Sequence, residues 1–216
     1  MPLVEHLQYE HDTQMVIWQI TEPETYFLET VQPQRVIQHP NQRLQHIAGR
    51  FLLTYLQPQF PVNDIQIGIN KKPYLPHNSL FFSISHTSAY VAAIISNEVG
   101  VGIDVERVSE RVLTVQHKFL HTNEAALIQQ LEKANFLQQQ MATLIWCAKE
   151  AIYKWWGSSD LIFKEMIEVF PPSHLQKAGD AKANIYTDKG NFCLALNYLF
   201  IDNYCVVWLT ETLPQH

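Results

Sequence analysis

Charge is scarce in this chain. Only 17% of its 216 residues are Asp, Glu, Lys or Arg, while 47% are hydrophobic and 12% aromatic. That balance argues against long disordered segments and for a real core, in one large domain or two small ones. Positive charge is scarcer still, giving a formal net charge of −6 and a pI near 5.9. A general basic field for holding nucleic acid is therefore missing, although local basic clusters remain possible. No Cys-x-x-Cys pair of the zinc type is present. Cys147, Cys193 and Cys205 sit in apolar runs and read as buried thiols of a reducing compartment. No apolar run approaches the roughly 20 residues of a membrane helix. Met1-Pro2-Leu3-Val4-Glu5-His6 lacks the basic-then-apolar order of a signal peptide. The expected location is the cytoplasm, with neither membrane nor nucleic acid as partner.

Periodicity predicts a helix over Asn41–Leu56, with Leu44, Ala48, Phe51, Leu52 and Tyr55 on its core face and Arg43, His46 and Arg50 on a neighbouring stripe. Strands follow at 65–69, 80–85, 90–96 and 99–106, the last interrupted by Gly100 and Gly102, where backbone or ligand approaches closely. Helical regions are expected over 112–130 and 136–156, the second stopped by Gly157, and strands return at 183–186, 192–199 and 204–209. Trp155 and Trp156 read as core or half-interface. The expected fold class is α+β. A helix, a short strand and a hairpin occur in each half, which suggests two similar subdomains (a pseudo-dimer), 1–100 and 101–216, each a helix packed on a small antiparallel sheet, with the active site in the cleft between them. A chance rhythm of an ordinary α+β chain is the alternative.

Three segments carry chemistry. On a strand, Asp104 and Glu106 point to one face while Ile103 and Val105 face the core. Two neighbouring carboxylates suit a hard cation, although a polar edge-strand face reads the same way. In Trp146-Cys147-Ala148-Lys149-Glu150-Ala151-Ile152-Tyr153-Lys154, Trp146, Glu150 and Lys154 share a helical face, with Lys149 on its flank. An exposed Glu–Lys pair is the plain reading. If Glu150 meets Asp104 and Glu106, three oxygen ligands suit Mg²⁺ with phosphate oxygens, and the lysines face a diphosphate. Phe82-Ser83-Ile84-Ser85-His86-Thr87 ends a strand in a hydroxyl and an imidazole. Without a Gly-x-Ser-x-Gly elbow, phosphate binding or a polar turn fits better than a nucleophilic triad. Arg50, with Arg43 nearby, suits a phosphate monoester, and Lys71-Lys72-Pro73-Tyr74 sets ammoniums on a loop. His117 and His121 have helical metal spacing but no third ligand.

As an ordered set, Arg50, Lys72-Pro73-Tyr74, the Ser85-His86 segment, Gly102-Ile103-Asp104-Val105-Glu106 and the Trp146–Lys154 segment resemble the phosphopantetheinyl transferase superfamily. The halved architecture resembles its larger, surfactin-synthetase-activating type rather than the small trimeric carrier-protein synthases. The resemblance implies transfer of 4′-phosphopantetheine from coenzyme A to a serine of an acyl or peptidyl carrier protein, with release of 3′,5′-ADP. It implies Mg²⁺ on Asp104, Glu106 and Glu150, and Lys149 and Lys154 on the diphosphate, with Lys154 assisting the leaving group. Arg50, Ser85 and His86 would hold the 3′-phosphate, Lys72 would flank the nucleotide, and Glu150 or Glu124 would act as base. Departures occur at Asn70 and Lys71 and at Gly157-Ser158-Ser159-Asp160, where relatives carry glycine-containing loops.

Carrier proteins are acidic, as this chain is. Between Arg107 and His121, however, Arg107, Arg111 and Lys118 outnumber Glu110, so this stretch, with Val112, Leu113 and Phe119, is the expected docking face on a monomer. An Mg²⁺-dependent phosphohydrolase and a non-catalytic carrier- or coenzyme A-binding homologue are the rival readings.

Overall fold

Sheet strands buried on both faces need a layer on each side, and Tyr90–Ser96 is buried at every position. The computed structural model describes residues 2–9, 12–33, 36–68, 72–76, 80–131, 135–188 and 190–213. Chain order is β1 (Leu3–Tyr9), β2 (Thr13–Gln19), α1 (Glu24–Leu28), α2 (Pro40–Leu56), β3 (Gln66–Ile67), β4 (Pro73–Tyr74), β5 (Phe81–His86), β6 (Tyr90–Ser96) and β7 (Gly100–Arg107). It continues through α3 (Arg111–Val115), α4 (Thr122–Gln130), α5 (Asn135–Trp156), α6 (Phe163–Met166), β8 (Ile167–Phe170), β9 (Ala178–Thr187), β10 (Gly190–Ile201) and β11 (Tyr204–Glu211).

The strands form two antiparallel sheets, β1-β2-β6-β5 and β7-β11-β10-β9-β8, with β3 and β4 as a separate short ribbon. Period-two alternation sends side chains to three apolar layers. Val91, Ala93 and Ile95 of β6 meet Ile47, Phe51 and Leu52 of α2. Their neighbours Tyr90, Ala92 and Ile94 pack with Ile103 and Val105 of β7 and with Val206 and Trp208 of β11. On the far side, Cys205, Val207 and Leu209 of β11 lie under Ile145, Ala148 and Ile152 of α5. The α+β class is thus realised with mixed helices and antiparallel sheets. Among the described residues no helix is long and apolar enough to cross a membrane.

Close approach of α5 to β7 depends on Gly102. A Cβ there would stand 2.1 Å from the Ala151 carbonyl oxygen and 2.9 Å from Trp155 Cβ. Gly157 ends α5 with φ +76° and donates its N–H to Tyr153 O at 3.1 Å, as a C-terminal cap requires. Trp155 and Trp156 are core.

The sequence expectations for α2, β5, β6, β7, α5, β10 and β11 match in type to within a few residues. The 112–130 region is broken: α3, a 3-10 turn over Gln116–Lys118 and α4 replace one helix. The strand expected at 65–69 is reduced to Gln66–Ile67, and Ile69, Asn70 and Lys71 lie outside the described residues. β1, β2, α1, α6 and β8 were not anticipated.

Candidate functional site

Alternation along β7 decides which side chains meet α5. Gly100, Gly102, Asp104 and Glu106 share the face turned to the helix, while Ile103 and Val105 point between the sheets. Lys154 Nζ donates to Asp104 Oδ1 at 2.7 Å and to the Ile103 carbonyl at 3.1 Å. Trp146, two turns earlier on α5, donates its indole Nε1–H to Glu106 Oε1 at 3.0 Å. From β5, Ser85 Oγ donates to Asp104 Oδ1 at 2.7 Å, and Ser83 Oγ accepts from the Ile103 amide at 3.2 Å. Strand β5 is therefore fastened to β7 beside the carboxylates.

Glu150 belongs to the same field. Burial, then the Asp104 carboxylate, and less strongly that of Glu106, push its pKa up to about 7, with Lys154 opposing. Burial and Asp104 likewise raise Glu106, against the pull of the Trp146 hydrogen bond, Lys154 and Arg111. Like charges held together in this way disfavour full ionisation. Asp104 is only 3% exposed, and its Oδ2 is buried with no hydrogen-bond partner among the described residues. An oriented but orphaned carboxylate oxygen, flanked by two more carboxylates, fits a hard divalent cation. Among the described residues no three acidic, His or Cys side chains already form a ligand cluster. Lys154, Ser85 and Trp146 hold the oxygens instead.

A cleft continues from these groups along β5. One pocket of about 190 Å³ is lined by Lys72, Pro73, Phe82, Ser83, Ile84, Glu150, Tyr153 and Lys154. Pro73 and Ile84 also border the next, of about 200 Å³, which reaches His46, Arg50 and His86. Arg50 is 7% exposed and its Nη1 hydrogen-bonds His46 Nδ1 at 3.1 Å, so α2 presents a fixed guanidinium at the cleft wall. His86 is at the rim. Desolvation by the walls, then the Lys154 cation and more weakly Arg50, lower its pKa, against its backbone hydrogen bond and Asp104. Burial lowers Lys72 to about 8.

The structure thus brings Glu150, Lys154 and Lys72 to one pocket, with Asp104 held by Lys154, and Arg50 and His86 to the adjoining pocket, while Glu106 lines another with Arg107, Arg111 and Trp146. It does not bring Lys149. That side chain is 0% exposed and pairs with Glu124 at 2.7 Å, with further bonds to the carbonyls of Phe119, Phe163 and Ile167. An ammonium so enclosed faces no diphosphate. Glu124, 2% exposed, also accepts from the His121 and Val169 amides and closes the capping box of α4, so it is no free base. Ser85 turns to Asp104, away from the His86 side, because neighbours on a strand point oppositely. Arg43 pairs with Glu24 at 2.8 Å rather than reinforcing Arg50. Val112 and Phe119 are core, leaving Leu113 and Val115 as the half-exposed apolar groups of the basic stretch. His121 caps α4 through Nδ1.

Two contributors escaped the sequence reading. Trp146, which shares a helical face with Glu150, orients Glu106, and that i−4 relation is the available signal. His46, i−4 from Arg50, orients that guanidinium and stood on the same predicted stripe.

Residues 100–206 match the model of the 4′-phosphopantetheinyl transferase superfamily. That segment, just under half of the chain, is what is similar to the superfamily. The matched span includes both the β7 carboxylates and the whole Trp146–Lys154 face of α5. The chain is 36% identical over 83 residues to the 4′-phosphopantetheinyl transferase gsp of Aneurinibacillus migulanus, covering 38% of this chain and 33% of that one. It is 31% identical over 120 residues to the 4′-phosphopantetheinyl transferase AcpT of Escherichia coli O157:H7, covering 54% and 60% respectively. Enterobactin synthase component D of Salmonella typhi is 31% identical over 116 residues, covering 52% and 47%. The match spans between a third and three fifths of these curated relatives. The similarity therefore lies in the β7-to-β11 region, where the candidate site's acidic half lies.

Proposed function

We propose that this protein transfers the 4′-phosphopantetheine group of coenzyme A to a serine of an acyl or peptidyl carrier protein, releasing 3′,5′-ADP. The observation that carries the reading is a pair of adjoining pockets, with Glu150, Lys154 and Lys72 on one, beside the Lys154-bound Asp104, and Arg50 and His86 on the other. Coenzyme A has matching chemistry: a 3′-phosphate at one end of its nucleotide and a diphosphate beside it. Arg50 and His86 would take the 3′-phosphate, Lys72 and Pro73 would border the nucleotide, and Lys154 would neutralise charge on the departing diphosphate oxygen. Glu150 would take up the serine proton, directly or through a water molecule. Asp104, Glu106 and Glu150 would hold Mg²⁺, which when bound would supply Lewis-acid stabilisation of phosphoryl charge.

The order β2-α2-β5-β6 is repeated by β7-α5-β10-β11, with β2-β6-β5 and β7-β11-β10 adjacent in their sheets. This supports two similar subdomains meeting near residue 100. The carrier would dock where Arg107, Arg111 and Val115 border a pocket beside Glu106 and Trp146, with Leu113 on the same stretch. A monomer acting in the cytoplasm completes the reading.

The test is incubation with coenzyme A, Mg²⁺ and apo carrier proteins, followed by mass spectrometry. A gain of one phosphopantetheine on the carrier serine is expected. Phosphate release from coenzyme A without a carrier, and no gain on any carrier, would favour a phosphohydrolase.

A further inference from the structure

Lys149 and Glu124 are the most deeply buried charges of the described residues, and nothing in the proposed reaction uses them. Their partners are informative. Lys149 projects from α5 between segments distant in sequence, bonding Phe119 O at 2.8 Å, Phe163 O at 3.0 Å, Ile167 O at 2.7 Å and Glu124 Oε2 at 2.7 Å. Glu124 in turn receives His121 N–H at 2.7 Å and Val169 N–H at 2.6 Å. One ammonium therefore fixes the backbone before α4, the start of α6 and the start of β8 against α5.

Two of those carbonyls belong to the residues whose rings bracket Trp146. Phe119 stands edge-on to it with centroids 4.9 Å apart, and Phe163 lies 5.8 Å away on a tilted plane. Phe163 also packs on Tyr153, which lines the cleft. Trp146 itself holds Glu106. A continuous path of contacts thus runs from the buried ammonium, through two backbone carbonyls and their rings, to one indole and one carboxylate.

Resting on the reading of Glu106 as part of the reactive site, we propose that Lys149 is a positioning residue. It sets the Phe119 and Phe163 rings so that the Trp146 indole is aimed at Glu106 and the carboxylate is kept in place. Phosphate binding, which its sequence position suggested, is not its role. A buried pair of this kind is weak evidence for net stability, and its attested use is to fix one arrangement among alternatives. Groups that orient a ligand from behind commonly change activity ten- to a hundredfold when removed.

The experiment combines one spectroscopic and one kinetic measurement on Lys149→Met, Trp146→Phe and the double variant, in the full chain. The Trp146 indole N–H signal is assigned by its loss in Trp146→Phe. In Lys149→Met its proton is expected to exchange with solvent about tenfold faster, the effect of losing one hydrogen bond to a charged group. Transfer should fall about ten- to a hundredfold in kcat, with KM for coenzyme A within about twofold. In the Trp146→Phe background Lys149→Met should add little, because both act through one indole. An unchanged indole signal overturns the proposal. So does a Lys149→Met effect of the same size in both backgrounds, which is what a merely structural role would give. Should Lys149→Met not fold, Glu124→Gln, which retains an oxygen for Val169, is read by the same measures. Absence of transfer by the unaltered protein would refute the enzymatic reading while leaving the indole measurement as the test of positioning.

Discussion

Lys72 should oppose folding at neutral pH. Its ammonium lies where Gly157 ends α5, 3.3 Å from the position a Cβ on that glycine would take, and it borders two pockets. Burial is the cause that lowers its pKa from 10.5 to about 8. At about 1.36 kcal/mol per pH unit, the folded chain disfavours the charged form by about 3 kcal/mol relative to the unfolded chain. Replacement by Met keeps the stem and removes the charge. For a chain of this size about 1 kcal/mol moves Tm by about 2–4 °C, so Lys72→Met should melt several degrees above the unaltered protein at pH 7.

The sign fixes the pH dependence. Below pH 8 both folded and unfolded chains hold the proton and the penalty is complete. Between pH 8 and 10.5 the unfolded chain still binds a proton that the folded chain has released, so the unaltered protein gains stability as pH rises. Above that window the penalty is gone. Thermal melts of both proteins at pH 7 and pH 10.5 isolate Lys72, because all other groups titrate in both. The Tm gap should close at the higher pH. A Lys72→Met protein that melts lower at pH 7, or a gap equal at both pH values, would refute the reasoning. Under the proposed function the same variant should bind coenzyme A more weakly, which makes the unfavourable ammonium a functional group retained against stability.

Asp104→Ala and Glu150→Ala should each abolish phosphopantetheine transfer in the mass-gain assay; retained transfer in either variant would count against the site. Arg50→Met should weaken coenzyme A binding about ten- to a hundredfold in calorimetry, as loss of a charged hydrogen bond does, yet leave dephospho-coenzyme A nearly unaffected. Reversing Arg111 and Lys118 to Glu should raise KM for an acidic carrier without changing coenzyme A affinity. Gly102→Ala should lower stability by about 3 kcal/mol or more in denaturant titration, because its Cβ would meet the Ala151 carbonyl oxygen at 2.1 Å and α5 must retreat.

What the sequence made legible was local. The face shared by Asp104 and Glu106 follows from period two, and the Trp146–Glu150–Lys154 stripe from period 3.6, so both were readable as patterns. Burial was not. Lys149 lies one residue from the Glu150 stripe, and only the packing of α4, α6 and β8 against α5 turns its ammonium inward. The β1–β2 hairpin was missed because its seven-residue strands precede any recognised motif, although Met15 and Ile17 complete the layer between the sheets. Val112 and Phe119 were assigned to a surface because a continuous helix was assumed. Val112 is on the buried side of the short α3, and the break after Val115 turns Phe119 into the core.

The pairing of the two motifs has a geometric basis that their separation in sequence hides. Strand β7 and helix α5 run in opposite directions: Gly100 lies at Trp155, Gly102 at Ala151 and Trp155, Asp104 at Lys154, and Glu106 at Trp146. Six residues of strand advance about 20 Å, and nine of helix about 13.5 Å, so the two can share contacts along most of their length only while crossing at a shallow angle. The glycines make that approach possible at one end. At the other, where side chains are present on both elements, the space between strand and helix must be filled. Here it holds carboxylates, an ammonium and an indole instead of apolar groups. The same alternation that removes a Cβ at position 102 therefore delivers acidic side chains at 104 and 106. A one-residue slip of β7 would turn those carboxylates between the sheets and Ile103 and Val105 toward α5.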